Sequence, residues 1–563
     1  MNRLKKFVLF LLAFSFVFSF VGCSDSNSGP DPKDVITEED GLDYLWPEDR
    51  YMPTFVNEPA EHIDFIDLTE FSDEVILLMT SLKAIVNAEQ PRIYSRDRVE
   101  DYFDWLPYIG YSEDKVTVYA DPYELFDKYV KEEEIKNIVI SDSAVVESIN
   151  AASTLAGITD SLVVTTDLYQ KLLSLGYKFN VLQDFTGMFK TGQDVNRYIF
   201  EHWFSQGYVN KRILFGTDPG IPGCLREYAM ALGCACVYFD INNEEDKALL
   251  EEYADLMPKG YSQYAGWFPA GNEEAMVTFL SEHGIVMTSA DFFTNIPFLS
   301  GQKVEKIQRK RSSEMTLENK IYVMYGVTDG DNMGSYMQQA FPQMLFSDIE
   351  RDFPISWTIS PNAAFLMPRV LQAIYDEADA ELDDFLSGPT GAAYTFPGIQ
   401  DKSWRDHYIR VTDEYMEAAD LNVLNTWNEA GPLWANPMTE DLKKAYVENL
   451  KHVTGILDQC YSQPYETIEH ITFARADEPY APSDDADEWF TNMMEDAYLS
   501  YMMDEGKSPI FLSIMGNAWG GENTILDMKT ATETISEKYP DIFEFVTITQ
   551  YLDLIRQHNE KIA

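Results

Sequence analysis

Apolar residues recur in two rhythms along this chain. Short runs rich in Ile, Val, Tyr and Phe alternate with stretches whose apolar positions fall three or four apart. The short runs read as strands buried on both faces and the longer stretches as amphipathic helices, the pattern of βα units around parallel sheets. Between Glu61 and Ser300 the pattern predicts strands at Ile63–Leu68, Ile138–Ile140, Ser161–Val164, Arg212–Phe215, Ala235–Phe239 and Ile285–Thr288. Helices are predicted at Val75–Val86, Ser143–Ala156, Pro222–Leu232, Asn243–Met257 and Glu273–His283. The second half predicts strands at Ile321–Gly326, Ile355–Ile359, Ala392–Thr395, Val423–Thr426, His470–Phe473, Ile510–Ser513 and Phe545–Thr547.

Functional groups crowd the residues just after these later strands. Asp329, Asp331 and Asn332 follow the first, and Asn362 the second. Trp427, Asn428 and Glu429 follow the fourth, Arg475, Asp477 and Glu478 the fifth, and Asn517, Trp519 and Glu522 the sixth. Side chains gathered at the C-terminal ends of parallel strands are where α/β enzymes place their chemistry. The fold class expected is therefore α/β: a multi-part N-terminal α/β region followed by a C-terminal (β/α) barrel-like domain of seven or eight strands. An open α/β sheet is the alternative.

The ends change the picture of where the chain works. Arg3, Lys5 and Lys6 precede an apolar stretch, Phe7–Val21, too short to span a membrane, so the start reads as an export signal. Phe20-Val21-Gly22-Cys23 resembles a bacterial lipobox, which implies cleavage before Cys23 and a lipid on its sulfur. A polar, Gly- and Pro-containing tether, Ser24–Pro32, follows. The expected organisation is signal peptide 1–22, tether 23–60, N-terminal α/β region 61–315 in two or three subdomains, and C-terminal domain 316–563. A bacterial envelope location follows, lipid-anchored at the outer membrane, with Asp25 weakly favouring the cell surface.

The formal net charge is −52, which opposes nucleic acid, anionic membrane surfaces and acidic polymers as partners. A hydrophobic fraction of 45% marks folded domains rather than disorder. Cys224, Cys234, Cys236 and Cys460 are too sparse for a disulfide framework. Cys234 and Cys236 alternate within an apolar strand and read as packing. No Cys/His spacing suits a structural metal, and no cofactor motif is present. In the first half, Gly216-Thr217-Asp218-Pro219-Gly220 reads as a tight turn, lacking a phosphate-loop Lys. The aromatic loop Tyr261–Pro269 and Asp291 read as packing surface or the lining of an interdomain cleft.

At Gly391–Pro397 the chain reads GAAYTFP. This resembles the signature that names the GxGYxYP family, whose glycoside hydrolase activity is inferred. Gly391, Tyr394 and Pro397 match; Ala393 replaces the second glycine and Phe396 the second tyrosine, which removes a hydroxyl. SLKAIVNAEQPRIY, HGIVMTSADFFTNIPFLSG, VTDGDN and WTISP resemble further segments of that family in order over about residues 60–560. The resemblance implies multi-part N-terminal α/β domains, a C-terminal barrel-like domain, and a glycosidic bond as target, without naming a sugar.

Glycoside hydrolysis needs a protonated carboxyl and an ionised partner roughly 5–10 Å apart. Candidates are Asp329, Asp331, Glu429, Glu478, Asp477 and Glu522; the expectation is Glu429 as proton donor with Asp331 or Asp329 ionised. Each could instead cap a helix. Asn332, Asn362, Tyr394, Phe396, Trp427, Asn517 and Trp519 are expected to bind substrate, the aromatics by stacking on sugar faces, with Trp434 nearby. Three rival functions stand beside hydrolysis. A glycan-binding lipoprotein would keep the aromatics without a buried acid. A metal-dependent deacetylase would want histidines beside Asp329 and Asp331, and of the seven in the chain only His470 falls in a barrel strand. A glycosyltransferase would need nucleotide sugars, which the outer envelope does not supply. The partners expected are a neutral carbohydrate and, through the anchor, a membrane.

Overall fold

The computed structural model describes residues 44–562 apart from 270, 272, 430–437, 460–464 and 484. Cys23, Asp25, Trp434 and Cys460 lie outside the described residues. The chain forms a mixed α/β fold built on parallel sheets.

Three small parallel sheets make the N-terminal region. The first centres on Ile63–Asp67, between Ile93–Arg96 and Val116–Tyr119. The second centres on Asn137–Ser141, between Leu162–Thr165 and Asn180–Asp184. The third runs Ala235–Val237, Ile213–Gly216, Ser262–Gly266, Ile285–Thr288. Parallel pairing requires crossovers, and the helices supply them. One helix, Asp73–Glu89, is buried along most of its length. Its Lys83 pairs with Glu227 at 3.0 Å and Asp97 at 3.5 Å, and its Asn87 donates to Glu227 at 2.8 Å. Those fully buried contacts fix the first sheet's helix to the helix Leu225–Leu232 of the third.

The aromatic loop expected at Tyr261–Pro269 is in part a strand, Ser262–Gly266. Its Ser, Gln and Gly carry no strand-like pattern, yet it is buried on both faces as an inner strand. Cys224, Cys234 and Cys236 are buried free thiols.

The C-terminal region holds two sheets. One runs Asp383–Ser387, Ile355–Ile359, Ile321–Val327, Ile510–Gly516, with Phe543–Phe545 beside the first half of Ile321–Val327. The other runs Val423–Thr426, Gly455–Asp458, Ile471–Arg475, with the antiparallel strand Tyr465–Ile468 on its edge. Two seams join them. Asn425 N donates to Ser387 Oγ at 3.0 Å on one side. On the other, Asp477 N and Glu478 N donate to Ser513 O at 3.0 and 3.1 Å, and Met515 N to Glu478 O at 2.8 Å.

Tyr322, Met324, Leu386, Val423, Leu457, Ala474, Phe511 and Met515 from both sheets pack into one core with Tyr551, Leu552, Leu554 and Ile555. The last four belong to the C-terminal helix Ile548–Ile562. Leu552 lies against Gly455 at the start of its strand, so this helix closes the end opposite the functional groups.

Two sequence expectations are corrected. Ala392–Thr395 is not a strand of the domain; its Tyr394 makes an isolated bridge with Met287 of the third sheet. His470 precedes the strand Ile471–Arg475 and lies against Leu450 O at 2.8 Å. Among the strands that were not legible, Gly455–Asp458 is short and Asp383–Ser387 opens with two acids. Arg351 and Arg309 pair with Asp383 and Asp384, which lets them be buried. Among the described residues, no helix is long and apolar enough to cross a membrane.

Candidate active site

Strand Ile321–Val327 leads into Thr328-Asp329-Gly330-Asp331-Asn332, a loop with little freedom. Asp329 adopts φ +66°, the left-handed region that Asp tolerates better than most residues. A Cβ on Gly330 would lie 2.2 Å from the carbonyl carbon of Thr358, and one on Gly388 would lie 2.3 Å from Asp331 N. The loop is thus pressed against the end of the strand Ile355–Ile359 and against Gly388, which follows the strand Asp383–Ser387. Gly330 N donates to Thr358 Oγ1 at 2.9 Å, and Thr358 Oγ1 donates back to Val327 O at 2.6 Å.

This loop presents two carboxyl groups in different environments. Burial pushes Asp329 above the ordinary carboxylate range, but the side chains of Thr328, Trp519 and Tyr480 donate to it and oppose the shift. Asp331 is pushed well above that range by burial, and by the charges of Asp329 and Glu273; a backbone hydrogen bond opposes the shift. Desolvation and like charge both favour the neutral acid, whereas donors favour the carboxylate. Of the two, Asp331 is therefore pushed harder toward the neutral acid.

The N-terminal region contributes directly. Glu273 opens the helix Glu273–Glu282, which follows the third sheet's Ser262–Gly266 strand. Tyr394 Oη donates to Glu273 Oε1 at 2.8 Å. Burial and the charge of Asp329 raise Glu273, while the Tyr394 hydrogen bond lowers it. The same two regions are joined by backbone bonds between Met287 and Tyr394 at 2.9 and 2.7 Å. Asn332 Nδ2 to Ser289 Oγ at 3.1 Å and Met333 N to Ser289 O at 2.8 Å add to the joint. The strand ends of the third sheet thus meet the strand ends of the C-terminal domain, with the carboxyl groups between them. Sequence reasoning missed Glu273 and Tyr480. Glu273 resembles any acid in a helix's first turn, and the one hint was the aromatic loop before it.

The other predicted residues gather around this junction to different degrees. Tyr394, Phe396 and Trp427 form an aromatic triad with ring centroids 5.4–5.9 Å apart. Phe396 is fully buried. Trp427 Nε1 and Asn362 Oδ1 are buried with no hydrogen-bond partner among the described residues, although Asn362 Nδ2 reaches Thr288 Oγ1 at 3.5 Å. Asn517 Oδ1 accepts from Trp519 N at 2.9 Å and so shapes the turn that brings Trp519 to Asp329. Trp519 and Tyr480 are about half exposed, at 49% and 46%, and form the open rim.

Glu429 lies beyond Trp427 at the same strand-end face and is partly exposed. Glu478 accepts from Trp489 Nε1 and Tyr480 N, each at 3.1 Å. Asp477 is held by Arg475 at 2.8 Å and Ser513 N at 3.0 Å, a seam role. Glu522 sits exposed in the first turn of the helix Glu522–Lys538. In the third sheet's loops, Asp218 Oδ1 accepts from Gly220 N at 2.7 Å within its turn. Burial pushes Asp291 up to about 6, beside Arg98 and Asp218.

Sequence models of three domains of one family match the chain. "GxGYxYP putative glycoside hydrolase C-terminal domain" matches residues 319–556, "GxGYxYP_N second domain" residues 135–207 and "GxGYxYP third domain" residues 211–301. No curated protein matches. Among solved structures, one described as a putative hydrolase from Bacteroides thetaiotaomicron superposes with a TM-score of 0.74 at 19% identity. It covers 90% of this chain and 96% of its own, and shares the fold. A structure described as a putative polysaccharide deacetylase from Mycobacterium smegmatis reaches a TM-score of 0.30 at 13% identity, covering 44% of this chain and 95% of its own, too low to carry an argument.

Proposed function

The chain belongs to the GxGYxYP family, and from that premise we propose that it is a glycoside hydrolase working at the junction of its third sheet and its C-terminal domain. The two C-terminal sheets, taken with their seams, are read as a (β/α) barrel of seven parallel strands whose strand-end face carries the chemistry. The observation that carries the reading is the asymmetry of the two carboxyl groups. Both are raised by burial, but Asp331 also has two like charges against its ionisation, whereas Asp329 has three side-chain donors in favour of it. That is the division of labour glycosidic cleavage needs, an acid beside an ionised partner.

In this mechanism Asp331 delivers its proton to the glycosidic oxygen as the bond to the anomeric carbon breaks. Asp329, held by Thr328, Tyr480 and Trp519, stabilises the positive charge that develops on the sugar. A water then adds to that carbon, and the proton it loses restores the Asp331 acid. Asp331 thus takes the donor role that the sequence pattern assigns to Glu429. Trp519 at the rim and Trp427 within offer flat faces for sugar rings. The Nε1 of Trp427 and Oδ1 of Asn362, unpaired among the described residues, suit hydroxyl partners. A neutral glycan fits the net charge of −52, since an anionic polymer would meet repulsion.

Anchoring through a lipid on Cys23 is part of the same proposal. Cys23→Ala should release the protein from membranes, and retention after a carbonate wash would contradict the anchor. The activity is tested by incubating the purified protein with a panel of neutral glycans and measuring new reducing ends. Release from at least one supports hydrolysis. Binding without release from any favours a glycan-binding lipoprotein.

A further inference from the structure

We propose that Glu273, a residue of the third sheet's domain, is a positioning residue for the carboxyl pair, anchoring Tyr394 and holding the proton on Asp331. The proposal rests on the assignment of Asp331 above and adds that the N-terminal region is part of the machinery.

The geometry comes first. Helix Glu273–Glu282 is fixed to the GAAYTFP loop at both ends: Glu273 accepts from Tyr394 Oη at 2.8 Å, and Ser281 Oγ contacts Thr395 Oγ1 at 2.9 Å while accepting from Phe396 N at 3.0 Å. The backbone pairing of Met287 with Tyr394 locks the register between them. Glu273 is therefore held at the junction by the loop that carries the family signature. Tyr394 is itself buried, at 3% exposure, and its ring packs against Phe396 and Trp427. The charge of Glu273, where ionised, acts on Asp331 from a fixed place.

The charged and titratable groups around Asp331 come from several elements. Asp329 lies in its own loop, Glu273 on the third-domain helix, Tyr394 in the signature loop and Tyr408 on the helix Lys402–Ala418. Tyr480 and Tyr336 face Asp329, and Glu274 acts on Glu273. Apart from Asp329, Glu273 is the carboxylate that bears on Asp331. Removing its charge lowers the cost of ionising Asp331, so the acid should lose its proton at lower pH.

The test is titration of Asp331 by carbon-13 NMR in the full chain labelled at aspartate Cγ, its resonance assigned by its absence in Asp331→Asn. Glu273→Gln keeps an oxygen for Tyr394 but removes the charge. It should lower the Asp331 midpoint by about one unit or more. Glu274→Gln, one residue along, should move it far less, and Glu273→Asp should restore most of the wild-type midpoint. An unchanged midpoint in Glu273→Gln, or equal shifts in Glu273→Gln and Glu274→Gln, would overturn the proposal. No substrate is needed, so the result stands apart from the glycan panel. If a glycan is cleaved, the alkaline limb of its pH–rate profile should move down by the same amount in Glu273→Gln.

Discussion

The hydroxyl of Tyr394 donates to the carboxylate of Glu273 at 2.8 Å, across the boundary between the third sheet and the C-terminal domain. Tyr394 is the tyrosine of the signature that the sequence matches, and Glu273 lies 121 residues earlier. The bond explains why a tyrosine is useful there: an aromatic ring packs the triad with Phe396 and Trp427, and a hydroxyl holds the neighbouring domain in register.

Gly388 shapes the site through the backbone it packs against. A methyl group there would come 2.3 Å from Asp331 N and 2.5 Å from Gly330 C, so the backbone must move. Gly388→Ala is expected to destabilise the fold by about 1–3 kcal/mol, the range for overpacking, and to lower turnover through a misplaced Asp331. Thermal unfolding and kinetics on the same preparation check both effects.

The aromatic faces should report sugar binding. Replacing Trp519 by Ala removes a half-exposed ring and should weaken glycan affinity about tenfold while leaving the melting temperature almost unchanged. Trp427→Ala should weaken binding and also destabilise, because its ring supports Tyr394 and Phe396. Calorimetric binding and unfolding curves separate the two.

Arg309 ties the segment before the C-terminal domain to its strands. It is 4% exposed, pairs with Asp384 and Asn422, and donates to Asp420 O at 2.9 Å. Burial works against the Asp384 carboxylate, yet Arg309 and donors from Thr549 hold it below the ordinary range. Arg309→Met leaves that carboxylate buried without its cation and should cost about 3–5 kcal/mol. The wild-type contribution is present above the ordinary carboxylate range and lost as pH falls through the depressed value. The difference between variant and wild type should accordingly shrink in acid, as denaturant unfolding at several pH values would show.

Asp101 gives the opposite pH dependence. Burial, reinforced by Asp97, pushes it up to about 7 from the ordinary 3.8, against the pull of Arg98. A raised carboxyl stabilises the fold below about pH 4, where both states are protonated, relative to higher pH; that advantage is lost as pH rises through about 7. Asp101→Asn should therefore be more stable than wild type at pH 8, by on the order of 1–3 kcal/mol, with the advantage vanishing near pH 4. Scanning calorimetry at both pH values measures it.

The legible parts of this fold are those where burial alone dictates residue type. Ile321–Val327 and Ile355–Ile359 are apolar on both faces and were readable as strands, as were the functional groups at their ends. Asp383–Ser387 was not, because the arginines that neutralise Asp383 and Asp384 lie far away in sequence. The aromatic loop hid a strand, Ser262–Gly266, for want of any strand-like pattern. Asp329 and Asp331 stood out through their strand. Glu273 and Tyr480 owe their place to the docking of one region on another, and no local pattern records that.

A protonated Asp331 paired with an ionised Asp329 is tested most directly by comparing turnover of wild type, Asp331→Asn and Glu429→Gln on one cleaved glycan. Loss of the proton donor should lower kcat by about 10²–10⁴, so Asp331→Asn is predicted to fall in that range with its fold intact. Glu429→Gln should stay within about tenfold of wild type and keep its pH profile, because general-acid work would demand the larger loss. The reverse result, with Asp331→Asn active and Glu429→Gln disabled, would contradict the assignment and return the donor's role to Glu429.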